Sequence, residues 1–415
     1  MKILLINQCF HPDVVSTAQH LTDLARELAG QGNDVTVVAS RRGYDNPEAR
    51  FPVRERWNGI DVIRIPTLGL GKKAKWRRAA DFASFLTFCA LRLLILPRHD
   101  AVVALTSPPL ISLFGALFTR LKGGEFYFWV MDLNPDEAVA AGWLKENSAT
   151  ARCLQSLLRY SLRCARRIFV LDRFMKERVL AKGIPEENLL VVAPWSHDNA
   201  IKYDGQGRET FRAEHGLEDK FVVMYSGNHS PCHPLDTLLA VAERLQGRRD
   251  IAFCFVGGGS EHRKVREFAS IKRLSNIKCL PYQPLEKLSA SLSAADLHAV
   301  VMGEQFKGIV HPCKIYNILS IGVPLLYIGP AESHIMDVIA GVDEKGYARS
   351  AGHGDIDRVA KHILDAASEK PKVSTRAVAF ASRFSQERLL AEMVKEIGLS
   401  IKATGSVPDR AAFEA

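Results

Sequence analysis

The stretch "KFVVMYSGNHSPCHPLDTLLAVAERL" (220–245) decides the fold. Its apolar run reads as a strand that stops at Gly227. A short polar loop follows, and Pro234 then suits the first turn of a helix running to about residue 246. Working outward, the same alternation continues through "IAFCFVGGG" (251–259), "IKCLPY" (277–282), "DLHAVVM" (296–302) and "VPLLYIG" (323–329). Strands this continuously apolar are covered on both faces, which is the mark of a parallel sheet with crossover helices. Toward the start of the chain the pattern occurs again: "KILLIN" (2–7), a helix over 16–30, "DVTVVAS" (34–40), "IDVIRIP" (60–66), "DAVVALT" (100–106), "FYFWVMD" (126–132) and "RRIFVLD" (166–172). The polar, turn-rich "PWSHDNAIKYDGQG" (194–207) separates the two series. The expected architecture is α/β, with two doubly wound Rossmann-like domains, 1–195 and 208–375, facing across a cleft at the strand carboxyl ends. An amphipathic helix within 376–399 is expected to cross back to the first domain, and 400–415 reads as a tail.

Size and charge narrow the classes. The chain has 415 residues, more than one core usually serves, and 55 Lys and Arg against 46 Asp and Glu give a net charge of +9. Such a bias suits anionic partners. The basic residues cluster in "KKAKWRR" (72–78) and "RYSLRCARR" (159–167), without the interleaved aromatics of a nucleic-acid module, so nucleic acid is not an expected partner. Eight cysteines without a C-x-x-C pair argue against a zinc site or a disulfide framework, and for a reduced, cytoplasmic setting. "MKILLIN" enters a strand directly, with no signal-peptide pattern. "FASFLTFCALRLLIL" (82–96) is too short and too interrupted by Arg92 to span a membrane. A helix buried against a sheet is its first reading. The second is a surface that, with the basic cluster, rests over 72–96 on anionic lipid.

Two places carry chemistry. The loop after the 220–227 strand presents Asn228, His229, Ser230 and His233; its amides and imidazoles can face phosphate oxygens, or the histidines can simply cap and solvate a turn. "GIVHPCKIYNILSIGVP" (308–324) has the same anatomy. A helix is expected from Pro312, with an apolar stripe at Ile315, Ile318 and Leu319 and an end at Gly322. Gly308 frees the backbone, the 309–314 amides point along the axis, and Lys314 adds a positive charge: an electrostatic seat for a diphosphate. Asn317 lies one turn in, within reach of sugar hydroxyls. The plainer alternative lets Lys314 snorkel to solvent. Elsewhere, "VGGGS" (256–260) reads as a tight turn and "DID" (355–357) as surface. Asp132, Asn134, Asp136 and Glu137 crowd together, and helix initiation capped by Asp136 explains them more simply than a metal.

The ordered set "TSPPLISLFGALFTRL" (106–121), "VMDLNPDEAVAAGWL" (130–144), "YSGNHSPCHPLDTLL", "FVGGGSEHRKV", "LPYQPLEKLSASLSAADL" and "HPCKIYNILSIGVPLLYIG" resembles the bacterial family-4 glycosyltransferases of the two-Rossmann (GT-B) fold. The similarity is to the group that builds surface polysaccharide on lipid-linked precursors, and it covers nearly all of residues 1–397. Three features depart from the family pattern. Ile309 and Asn317 stand where two glutamates are usual, Asn228 and His233 replace a basic pair, and the opening loop "NQCFHPDVVSTAQH" (7–20) lacks Gly-Gly.

The resemblance implies a retaining, metal-independent glycosyltransferase with no cofactor, its nucleotide-sugar donor being a substrate. The backbone around Pro281–Pro284, with Tyr282 and Gln283, would meet the base. Gly227, Asn228, His229 and His233 would meet the diphosphate. Gly308, Ile309, His311, Lys314 and Asn317 would take phosphates and sugar. Asp132 would stand near the acceptor hydroxyl, and Asp132 and Lys314 are the catalytic candidates. The acceptor would be a glycan or lipid-linked precursor, and the setting cytoplasmic with peripheral membrane contact. Alternatives are a nucleotide-sugar epimerase of the same fold and an inactive sugar-nucleotide-binding subunit.

Overall fold

A computed structural model describes residues 1–44, 46, 48–70, 75–196, 201–370 and 372–404. Lys72 and Lys73 of the basic cluster, residues 197–200 of the linker and the 405–415 tail lie outside the described residues. The chain divides into two compact units: Met1–Ala193 with Glu387–Ala415, and Pro194–Gln386.

In the first unit eight strands form one sheet in the order β3-β4-β2-β1-β5-β6-β7-β8. They are β1 (Lys2–Ile6), β2 (Asp34–Ser40), β3 (Arg54–Trp57), β4 (Ile60–Ile65), β5 (Ala101–Ala104), β6 (Glu125–Trp129), β7 (Arg167–Val170) and β8 (Leu189–Val191). All neighbours are parallel except β3 and β4. β3 is polar, and period-2 reading passes over it. Its signal is the Asn-Gly pair at 58–59, whose φ values of 48° and 80° make the tight hairpin turn. The central strands β1 and β5 are fully buried from Ile3 to Ile6 and from Ala101 to Ala104, as sheets covered on both faces require.

The helix α1 (Ser16–Gly30) buries Leu21, Leu24 and Leu28 on one stripe. The helix α2 (Lys75–Ile95) is apolar on two sides. Phe85, Cys89 and Leu93, at four-residue spacing, are buried, while Phe88, Leu91, Leu94 and Ile95 are 43–70 % exposed. The buried-helix reading of 82–96 therefore holds for one face only. Among the described residues no helix is long and apolar enough to cross a membrane. Helix α3 (Ile111–Lys122) meets the end of α2, where Lys122 Nζ donates to the Leu94 carbonyl at 2.7 Å.

The second unit holds six parallel strands in the order β11-β10-β9-β12-β13-β14. They are β9 (Phe221–Asn228), β10 (Ile251–Gly258), β11 (Ile277–Leu280), β12 (Leu297–Val301), β13 (Leu325–Ile328) and β14 (Ala348–Ala351). Its core joins Val223, Tyr225, Phe253, Phe255, Leu297 and Val301 to Leu238, Ile363 and other helix residues. An ion-pair network ties the Gly205–His215 helix to this sheet: Arg208 and Arg212 both reach Asp296 at 2.5 Å, and Asp296 also accepts from the Val222 amide.

The end of the chain differs from the single helix expected at 377–397. Helix Thr375–Ala381 stops, a 3₁₀ turn covers Ser382–Phe384, and a new helix runs Gln386–Thr404. This last helix packs in the first unit, where Tyr127 donates to the Ile397 carbonyl at 3.2 Å and Arg167 pairs with Glu396 at 3.0 Å.

Candidate active site

The second unit's part is built where β9 and β10 end. The two strands stay in register through Gly227–Gly257 and Asn228–Gly258. Beyond them His229 N donates to the Gly258 carbonyl at 2.8 Å, and Glu261 N to the His229 carbonyl at 3.1 Å. Gly257 and Gly259 have φ of 136° and 122°, and a Cβ on either would strike the carbonyl of Gly227 or His229. The glycine run of 257–259 therefore lets the 227–233 loop lie directly on its neighbour.

Lys314 occupies the hollow this leaves. It is the first residue of the Lys314–Ile321 helix, two positions later than the sequence suggests. The residue is partly exposed, but its Nζ is enclosed and has no hydrogen-bond partner. The ammonium stands 3.5 Å from the centre of the Tyr225 ring and lies against Gly227. It does not snorkel. Burial holds its pKa well below the ordinary lysine value.

The same geometry places the two histidines. His229 is fully buried; its Nδ1–H donates to the Gly227 carbonyl at 2.8 Å, and its ring packs edge-on to Tyr225 and His262. It braces the loop through Nδ1, while its Nε2 is enclosed and has no hydrogen-bond partner. His233 donates from Nδ1 to the Val301 carbonyl at 2.9 Å. In the neutral ring its Nε2 then carries no proton and accepts rather than donates. Burial first, and Lys314 second, push both rings down to about 3.

The 308–314 segment is also less open than its sequence implies. The amides of Ile309 and Val310 both donate to the Phe306 carbonyl, at 2.9 and 3.2 Å, and Pro312 has none. The Ile309 side chain is buried at 3 % exposure. His311 is buried too, with Nε2 2.7 Å from Tyr316 Oη and its ring stacked 3.7 Å from that of His334. Of the six positions 309–314 expected to line the helix mouth, at most three amides thus remain, those of His311, Cys313 and Lys314. Gly308 keeps its role as a bend, with φ of 69°, and Ile315, Ile318 and Leu319 are buried as the stripe requires. Asn317 is half-buried one turn in, and Asn228 is exposed at the loop tip. Tyr282 is 51 % exposed, its ring close over Gly258, and Gln283 Nε2 donates to Pro281 O at 3.0 Å.

Beside His233 opens a cavity of about 490 Å³, lined by Pro234, Asp236, Glu304, Gln305 and His353 among others. Sequence reading missed this wall. Its only signal was "GEQ" (303–305) directly after a strand end.

In the first unit, Asp132 lies three residues beyond β6. Burial first, and the neighbouring Glu137 second, raise its carboxyl to about 8. Asn134 Nδ2 donates to Glu137 Oε2 at 3.2 Å. Asp136 does not cap the helix Asp136–Ala140. Lys182 reaches its two oxygens at 2.8 and 3.0 Å and Gln155 donates at 2.9 Å, so it anchors the loop that carries Asp132.

Residues 17–195 match the family model described as "Glycosyl transferase 4-like domain". The chain is 24 % identical over 335 residues to WcaI of Escherichia coli, named for colanic acid biosynthesis glycosyl transfer, covering 78 % of this chain and 82 % of WcaI. Sucrose-phosphate synthase from Thermosynechococcus elongatus superposes with a TM-score of 0.76 at 14 % identity, over 97 % of this chain and 100 % of that one. HepE of Anabaena, solved with UDP and glucose, superposes with a TM-score of 0.71 at 15 % identity, over 96 % and 99 % of the two chains.

Proposed function

We propose that this chain is a family-4 glycosyltransferase of the GT-B fold that transfers a sugar from a nucleoside-diphosphate donor to a lipid-linked glycan precursor in surface polysaccharide synthesis. One observation carries the donor half: an enclosed ammonium, Lys314, held without a hydrogen-bond partner against Gly227. A buried unpaired cation is costly, and an anion arriving beside it removes that cost. The UDP held by HepE supports the same class of ligand. The cavity of about 490 Å³ lined from Pro234 to His353 is in the size range of small-molecule sites.

In the proposed reaction the acceptor hydroxyl oxygen bonds to the anomeric carbon as the bond to the diphosphate breaks. The hydroxyl proton passes to the departing phosphate oxygen, or to Asp132 as base. Lys314 offsets the charge that develops on the leaving group, the part a divalent ion would otherwise take. Configuration is retained, as the family resemblance implies. The epimerase and inactive-subunit alternatives gain nothing from the comparisons, since the curated relative carries a transferase name. Exposed Leu91, Leu94, Ile95 and Leu121, among Arg92, Arg98, Arg120 and Lys122, form the surface that would rest on anionic lipid.

Titration with UDP tests the donor seat. Lys314→Ala should weaken UDP binding at least tenfold, with thermal unfolding still cooperative. Wild-type affinity in that variant removes the seat.

A further inference from the structure

We propose that Tyr316 and Phe384 are positioning residues of the transfer reaction, coupling the donor seat to the two segments by which the chain enters and leaves the second unit. The inference rests on the donor reading of Lys314 and adds what holds that lysine in place. Every contact it uses lies inside the second unit, Pro194–Gln386.

The Lys314–Ile321 helix has only eight residues, so its direction is set by what it packs against and not by its own ladder. Both of its ends rest on the last part of the unit. At the far end Gly322 has φ of 67°, and its carbonyl accepts from the Ser374 amide at 2.8 Å. A Cβ there would stand 2.6 Å from the Ser374 carbonyl oxygen, so the two backbones touch. At the near end Tyr316 is buried, with its ring centre 4.6 Å from that of Phe384. Its Oη shares a hydrogen bond of 2.7 Å with His311 Nε2. That bond spans the turn on which Lys314 sits, so the angle at which the ammonium enters its hollow follows the Tyr316 ring.

Phe384 closes the 3₁₀ turn Ser382–Phe384, just before Glu387 begins the stretch that belongs to the first unit. Its carbonyl accepts from the Ser196 amide at 3.0 Å, and Ser196 and Ser385 form a parallel bridge. Ser196 in turn follows Pro194, where the chain enters the second unit. The incoming and outgoing passages are thus bonded side by side, and Phe384 joins them to Tyr316. Phe380 backs this contact, 5.7 Å from Phe384 and pressed on Gly341, where any Cβ would collide with its ring. Side chains packed along one contiguous path pass a shift at one end to the other, and such coupling is reciprocal. A phosphate held at Lys314 should therefore steady the bond between Ser196 and Phe384.

Amide hydrogen exchange of the full chain, with and without saturating UDP, tests the coupling. In the wild type UDP should slow exchange at the Ser196 amide about fivefold or more. Phe384→Ala should weaken UDP about tenfold and leave Ser196 exchange insensitive to it, whereas Phe384→Tyr, which keeps the ring, should restore both. Tyr316→Phe keeps the packing and loses only the hydroxyl that meets His311. It should weaken UDP about threefold or more with the melting temperature held, which keeps the test open if Phe384→Ala misfolds. UDP that binds the wild type without slowing Ser196, or variants that bind UDP and respond as wild type does, overturns the proposal and leaves Phe384 as packing. Should UDP not bind the wild type at all, the donor reading fails first and takes this coupling with it.

Discussion

Lys314 answers to two opposed demands. An enclosed ammonium without a partner lowers stability, and the same ammonium is what a diphosphate would seek. Lys314→Met should therefore raise the unfolding free energy by about 1–3 kcal/mol while abolishing UDP binding, as chemical denaturation and titration of one preparation would reveal. Asp132 makes a second residue-scale prediction. Its folded carboxyl titrates at about 8, far above the unfolded value, so the native state holds a proton that the unfolded chain has released between roughly pH 4 and pH 8. Stability contributed by that protonation is present at low pH and fades as pH climbs to 8. The stability of Asp132→Asn relative to wild type should accordingly grow across this window and level off above it. If Asp132 accepts the acceptor's proton, kcat/KM falls below pH 8, and Glu137→Gln, by removing a negative neighbour, moves that limb to lower pH. The sequence made these residue types visible but not their fates. "NHSPCH" shows two histidines at a strand end, yet only the structure shows His229 packed between Tyr225 and His262 with its Nδ1 committed to the Gly227 carbonyl.

At the scale of elements, the glycines of 257–259 fix how closely two loops can lie. Gly257→Ala would place a methyl into the Gly227 carbonyl on a backbone that L-residues avoid. A loss of at least about 2 kcal/mol in denaturant unfolding is expected, together with weakened UDP binding. Helix α2 makes the contrasting case, since its exposed apolar residues support no core. Leu94→Glu with Ile95→Glu should leave the melting temperature within a few degrees of wild type and abolish flotation with vesicles containing phosphatidylglycerol. Unchanged flotation would remove the lipid-surface reading. The continuous strands could be read directly because burial on both faces leaves runs such as "KILLI" and "AFCFV". β3, β8 and β14 could not, since a short or polar edge strand carries little hydrophobic signal. α2 misled for another reason: a helix apolar all round reads as buried, and hydropathy alone does not say which face is covered.

For the whole molecule, the division into two α/β units follows from the repeated strand-helix alternation. The expected return of the last helix to the first unit does not follow from that alternation, because amphipathicity tells that a helix is covered and not by what. Tyr127 and Arg167 supply that information through Ile397 and Glu396. A chain cut after residue 385 should therefore lose stability in its first unit and keep the unfolding transition of its second, as calorimetry with fragment 194–386 for reference would separate. The discontinuity also has a consequence during synthesis. The 1–193 segment leaves the ribosome lacking the piece that covers Tyr127, whereas 194–386 emerges whole. The later-made half can thus reach its native form first, and the earlier-made half must wait, open to chaperones, until the final turns of polypeptide arrive to close it.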